Sequence, residues 1–133
     1  MSVFVDSSVI LDIFTEDSAW SDWSSHALAT AAESSPLVIN PVVYSEVSVR
    51  FSRIEELDIA LPADRFVREP IPYEAAFLAG KASVIYRRRG GSRSSPLPDF
   101  FIGAHAAIAG HQLLTRDPDR FSSYFPKLDL IAP

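Results

Sequence analysis

The sequence predicts an α/β/α fold of three layers, with helices covering both faces of a central, mostly parallel sheet of four to five strands. Short apolar runs, such as Val3 to Val5 and the one starting at Leu37, lack the alternation of a half-exposed strand and suit strands buried on both faces. Longer segments with apolar residues at helical spacing separate these runs. Strands alternating with helices imply right-handed βαβ crossovers, which set neighbouring strands parallel. A chain of 133 residues, 47% hydrophobic and 22% charged, fits one domain with an ordinary core.

Val3, Phe4 and Val5 form the first strand, and Ser7 and Ser8 lead into a short helix carrying Val9, Ile10, Leu11 and Ile13. Trp20, Trp23, Ala27, Leu28 and Ala31 repeat at helical spacing, so a second helix is expected from about Ser18 to Ser34, with both tryptophans packed on the sheet. Pro36 stops it, and Leu37 to Asn40 is the second strand. Pro41 suits the first turn of the next helix, where its missing N–H costs nothing, and that helix carries Glu46. A short helix over Ile54 to Leu61 precedes a weakly marked strand from Phe66 to Ile71. Tyr73, Ala76, Phe77, Ala79, Ala82, Ile85 and Tyr86 define a helix from about Pro72 to Arg88. The stretch RRRGGSRSSPLP breaks that periodicity and is read as the longest loop. Pro98 and Asp99 open an Ala-rich helix that ends near Gly110, a left-handed cap. Gln112 to Thr115 and Leu128 to Ile131 are the last two strands.

Composition removes several function classes. The chain has no cysteine, so disulfides, thiolate zinc sites and thiol catalysis are excluded. Its net charge of −5 disfavours indiscriminate binding to nucleic acid, so any such site must be local. The start MSVFVDSSVILDIF has no basic n-region, and Asp6 and Asp12 interrupt it, which argues against a signal peptide. No apolar stretch approaches the roughly 20 residues of a membrane span. The expectation is a cytoplasmic protein with no membrane partner.

Ligands of open α/β sheets bind beyond the carboxyl ends of the strands. Asp6 follows the first strand, Glu46 lies about one and a half turns into the helix after the second, and Asp117 follows the strand ending at Thr115. Asp99 joins them if its helix starts at the same edge. Each acid alone has an ordinary explanation: Asp6 as a helix cap, Asp99 as a charge at a helix start, Glu46 as an exposed side chain, Asp117 as a turn residue before Pro118. Four such explanations coinciding at one edge is the less economical reading. Crowded carboxylates repel and take up protons, whereas a divalent cation stabilises them as anions. Hard oxygen ligands point to Mg²⁺ or Mn²⁺, one or two ions, and a water-rich metal suits phosphoryl chemistry. Arg87, Arg88, Arg89 and Arg93, in or beside the Gly/Ser-rich loop, and Arg116 are candidate contacts to RNA phosphates. His26, His105 and His111 are scattered along the chain and are expected in surface or core roles without chemistry.

The segments VDSSV, YSEV, PDFFIGAHA and LLTRDPDRF, in this order and spacing, resemble the PIN-domain ribonucleases, and most of all the VapC-type toxins of toxin–antitoxin pairs. The resemblance spans the whole chain. It implies a PIN-like fold and an endoribonuclease that requires Mg²⁺ or Mn²⁺ and inhibits translation. It also implies an RNA substrate, a small antitoxin that blocks the site, and a homodimer. Carried over by position, Asp6, Glu46, Asp99 and Asp117 would be the metal-binding and catalytic carboxylates, with Ser7 and Thr115 as supporting hydroxyls. Asp119 is the reserve for the fourth acid. A strand-end Asp also begins haloacid-dehalogenase-type phosphatases and response-regulator receivers, but the phosphatase pattern wants a second Asp where this chain has Ser8. The remaining alternative is a non-catalytic PIN-like module that binds RNA or a partner protein.

Overall fold

The computed structural model describes residues 1–91 and 97–133. Its elements run β1 (Val3–Val5), α1 (Ser7–Phe14), α2 (Ser21–Ser34), β2 (Leu37–Ile39), α3 (Pro41–Ser48), α4 (Ile54–Ala60), β3 (Phe66–Arg68), α5 (Tyr73–Arg88), α6 (Leu97–Ala109), β4 (Gln112–Leu114), α7 (Asp119–Ser122) and β5 (Leu130–Ile131). The strands form one sheet in the order β3-β2-β1-β4-β5, and every pairing is parallel. All three residues of β1 and of β2 are buried, as both-face coverage by helices requires. The expected three-layer architecture is present, with five strands among the described residues.

Local chemistry explains several boundaries. Asn40 caps α3 by accepting the Val42 and Val43 N–H groups on Oδ1, and Pro41 occupies the first turn. Gly110, with φ +74°, ends α6 in the left-handed region. Helix α2 begins at Ser21 rather than Ser18, because Asp17 Oδ1 accepts the N–H groups of Ala19 and Trp20 and holds the preceding residues in a turn. Strand β3 ends at Arg68, short of Ile71, since Pro70 cannot donate to the ladder. The short helix α7, between β4 and β5, has no counterpart in the expected element order; four residues are too few to show a helical period.

The chain builds β1, β2 and β3 outward on one side and then returns to place β4 and β5 on the other. The strand order therefore reverses between β1 and β4, the place beyond whose carboxyl ends open α/β sheets bind their ligands. Helix α6, which carries Asp99 in its first turn, packs on α5, α3 and α7. Its Gly103 allows a close approach: a Cβ there would stand 2.5 Å from the Phe125 ring and 3.1 Å from Phe121. Gly103→Ala is expected to lower stability by roughly 1–3 kcal/mol through overpacking, measured by urea denaturation. An unchanged midpoint would contradict that packing. No helix among the described residues is long and apolar enough to cross a membrane.

Candidate functional site

Asp6 ends β1 in the N-cap position of α1, yet its carboxylate makes no capping hydrogen bond. Instead Oδ2 accepts the hydroxyls of Ser8, at 2.7 Å, and Thr115, at 2.8 Å. The Asp6 N–H donates to the Leu114 carbonyl, so the ends of β1 and β4 are tied at the point where the strand order reverses. The side chain is 3% exposed, and among the described residues no hydrogen bond reaches Oδ1. Burial pushes its pKa up, the Ser8 and Thr115 hydroxyls oppose that, and the charge of Asp117 adds to it.

The other acids surround it. Ser7, one residue beyond Asp6, donates to Glu46 Oε1 at 2.8 Å and ties α1 to α3. Glu46 is half-buried; burial raises its pKa, the Ser7 hydroxyl lowers it, and the charge of Asp6 raises it again. Asp99 lies buried in the first turn of α6. Burial, with the charges of Asp6, Glu46 and Asp117, pushes its pKa up to about 6 against the pull of Arg120. The Asp117 N–H donates to Thr115 Oγ1 at 3.0 Å, so one hydroxyl links the backbone of Asp117 to the carboxylate of Asp6. Asp99 thus lies in the fields of the other three acids, and Asp6 in that of Asp117. Among the described residues, no three of them bring ligand oxygens within 4.8 Å of one another.

Asp117 and Asp119 differ in environment. Asp117 acts on both Asp6 and Asp99, whereas Asp119 is exposed in α7 and is not among the charges acting on Asp6, Glu46 or Asp99. Arg87 and Arg88 stand exposed on the last turn of α5, and Arg89 lies over the Tyr124 ring at 5.3 Å. Arg93 falls outside the described residues. Arg116 is not a free cation: its Nε donates to both oxygens of buried Asp12, at 3.1 and 2.9 Å, and its guanidinium covers Trp20 at 5.7 Å. Both tryptophans are half-buried and meet edge-on; Trp23 packs against the core, and Trp20 lies under the Arg116 guanidinium instead.

Sequence reasoning missed four features here. Arg120 reaches Asp99 Oδ2 at 3.4 Å and acts on Asp6 and Glu46 as well, while its side chain remains 60% exposed. Ser8, read as a helix-start residue and a departure from the phosphatase pattern, orients Asp6. Asp12 is a buried partner for Arg116 and Ser24, although an acid on an apolar helix reads as a solvated residue. The histidines are the fourth case and need correction, because His105 and His111 are not scattered in space. Both place Nε2 on Glu69 Oε1, at 3.1 and 2.9 Å, in a cluster whose ligand atoms lie within 4.8 Å of one another. Separations of 36 and 42 residues left no local signal for it.

The sequence pattern that defines the PIN domain matches residues 3–125. Among solved structures, the chain is similar to VapBC2 from Rickettsia felis bound to a DNA fragment from its promoter, with a TM-score of 0.73 at 16% identity, covering 99% of this chain and 98% of that one. It is similar to VapBC-1 from nontypeable Haemophilus influenzae at a TM-score of 0.75 and 16% identity, with the same coverage. A toxin–antitoxin complex from Klebsiella pneumoniae gives 0.68 at 18% identity, covering 98% and 96% of the two chains. No curated protein matches the sequence. At such identities the structural likeness speaks to the fold, and it agrees with the match along nearly the whole sequence: this chain belongs to the PIN domain family.

Proposed function

We propose that the protein is a metal-dependent endoribonuclease, the toxin of a toxin–antitoxin pair that inhibits translation. The observation that carries this reading is Asp6: a buried strand-end carboxylate that occupies a cap position without capping, and that sits in the fields of Glu46, Asp99 and Asp117. Such a crowd of hard oxygen donors, one of them buried with Oδ1 unpartnered among the described residues, fits Mg²⁺ or Mn²⁺. Asp6, Glu46, Asp99 and Asp117 would hold one or two ions. When bound, such an ion supplies an acidified water as nucleophile and offsets charge on the phosphate.

The remaining chemistry belongs to the chain. Ser8 and Thr115 fix the orientation of Asp6, and Ser7 fixes Glu46, so neither carboxylate has to search for its position. Arg120, held among the acids yet mostly exposed, can swing from Asp99 to a phosphate oxygen of RNA. Arg87 and Arg88, exposed at the end of α5, extend the positive surface along the strand of RNA. The partner proposed is a small antitoxin, by analogy with the toxin–antitoxin complexes that share the fold, and a homodimer is proposed as the assembly from the family resemblance alone.

Purified protein is expected to cleave single-stranded RNA with Mg²⁺ or Mn²⁺ and to stop on addition of EDTA, as read on a denaturing gel. RNA retained uncut in the presence of Mn²⁺ would instead identify a binding module. Arg120→Ala should slow cleavage by roughly 10–100-fold, the range for losing a charged hydrogen bond to phosphate. Cleavage at the wild-type rate would remove Arg120 from the site.

A further inference from the structure

The cluster of Glu69, His105 and His111 has the residue types of a transition-metal site, but its hydrogen bonding is ordered against one. Asn40 Oδ1 accepts the Val42 and Val43 N–H groups, so the amide cannot be turned round without losing the cap of α3. Its Nδ2 therefore faces His105 Nδ1, at 3.1 Å, as a donor. That makes His105 Nδ1 the acceptor and leaves the ring proton on Nε2, which donates to Glu69. A metal on Nε2 would move the proton to Nδ1 and aim it at the Asn40 NH₂ group. The arrangement is a relay of hydrogen bonds, Asn40 to His105 to Glu69, with His111 on the same carboxylate oxygen.

The elements joined by this relay are those that carry the acids. Asn40 begins α3, which bears Glu46, and His105 shares α6 with Asp99. The His105 ring is fully buried and lies 5.0 Å from the ring of Phe4, in the strand that leads directly to Asp6. The surroundings of His105 are otherwise apolar: Ile102, Ala104 and Ala106 beside it on α6 are fully buried too. Apolar contacts alone tolerate small slips of one helix along another, whereas a buried polar pair defines one register. Acids that must meet one ion need placement to within about 0.5 Å.

We propose that His105 is a positioning residue: through Asn40 it sets α6 against the start of α3, so that Asp99 and Glu46 face Asp6 in a fixed arrangement. The inference rests on the nuclease reading above and deepens it. His105→Leu keeps the bulk and removes both hydrogen bonds. Asn40→Ser keeps a good N-cap but is too short to reach His105. Each variant is expected to weaken Mn²⁺ binding by about 10-fold, measured by titration calorimetry on the full chain. Each should also lower kcat for a fluorogenic single-stranded RNA by about 10–100-fold with KM unchanged. The double variant should lose no more than the worse single one, because both cut the same link.

The proposal is overturned if folded His105→Leu, checked by circular dichroism, binds Mn²⁺ and cleaves RNA as the wild type does. Losses that simply multiply in the double variant overturn it as well, since they would mark two separate structural injuries. Wild-type protein that neither binds Mn²⁺ nor cuts RNA overturns the nuclease reading itself, and this inference with it.

Discussion

Asp99→Asn should reduce RNA cleavage by roughly a thousandfold while making the metal-free protein more stable at neutral pH. The activity loss follows from removing one of the anionic ligands proposed to hold a cation that supplies several kcal/mol of transition-state stabilisation, at about 1.4 kcal/mol per tenfold in rate. The stability gain follows from linkage. The folded pKa of Asp99 is about 6, raised from an unfolded value of 3.8 by burial and by the neighbouring acids. The native state therefore holds a proton that the unfolded chain gives up, and stability falls as pH rises from about 4 to about 6. A shift of this size is worth at most roughly 3 kcal/mol, and partial solvation reduces the expected gain in the variant to about 1–2 kcal/mol. Thermal melts without metal at pH 4.5 and 7.5 measure it, as the difference between variant and wild type. If that difference is no larger at pH 7.5 than at pH 4.5, Asp99 does not carry the strain described. The sign also makes a point about function: a carboxylate kept in a place that costs stability is one retained for another purpose.

The second large effect is structural. Arg116→Met should lower the melting temperature by roughly 10 °C, corresponding to about 2–3 kcal/mol for a chain of this size. Asp12 is 2% exposed, and its oxygens are satisfied by Arg116 Nε and the Ser24 hydroxyl. Without the guanidinium, a carboxylate would be left buried with one hydroxyl for company. Breaking a fully buried pair costs about 3–5 kcal/mol, and the partial exposure of Arg116, 29%, places this one lower. Asp12→Asn combined with Arg116→Met should recover most of the loss, because no buried charge remains. A melting temperature within a degree of wild type for Arg116→Met would show that the pair contributes little. RNA affinity is expected to respond to Arg120 rather than to Arg116, whose charge is already neutralised by Asp12.

The legible parts of the candidate site were those written in short stretches. Asp6 and Asp117 each follow an apolar run, Asp99 follows a proline at a helix start, and Glu46 lies between Tyr44 and Val47 on a mostly apolar helix. Ser7 and Thr115 are chain neighbours of these elements and came with them. Arg120 was not legible, because α7 is one turn long and its direction depends on how Phe121 packs in the core. Asp12 and Arg116 stand 104 residues apart, and nothing near either marks it as paired.

The sequence by itself determined the alternation of strand and helix, the parallel sheet, and which acids lie at strand ends. Those follow from periodicity, proline and glycine placement, and the alternation of elements, all of which act over a few residues. Tertiary structure alone decided how the acids see one another, that the charge of Asp117 reaches Asp6 and Asp99, and that His105 joins Asn40 to Glu69. Burial and proximity set those properties, and both depend on contacts between residues 36 to 109 positions apart.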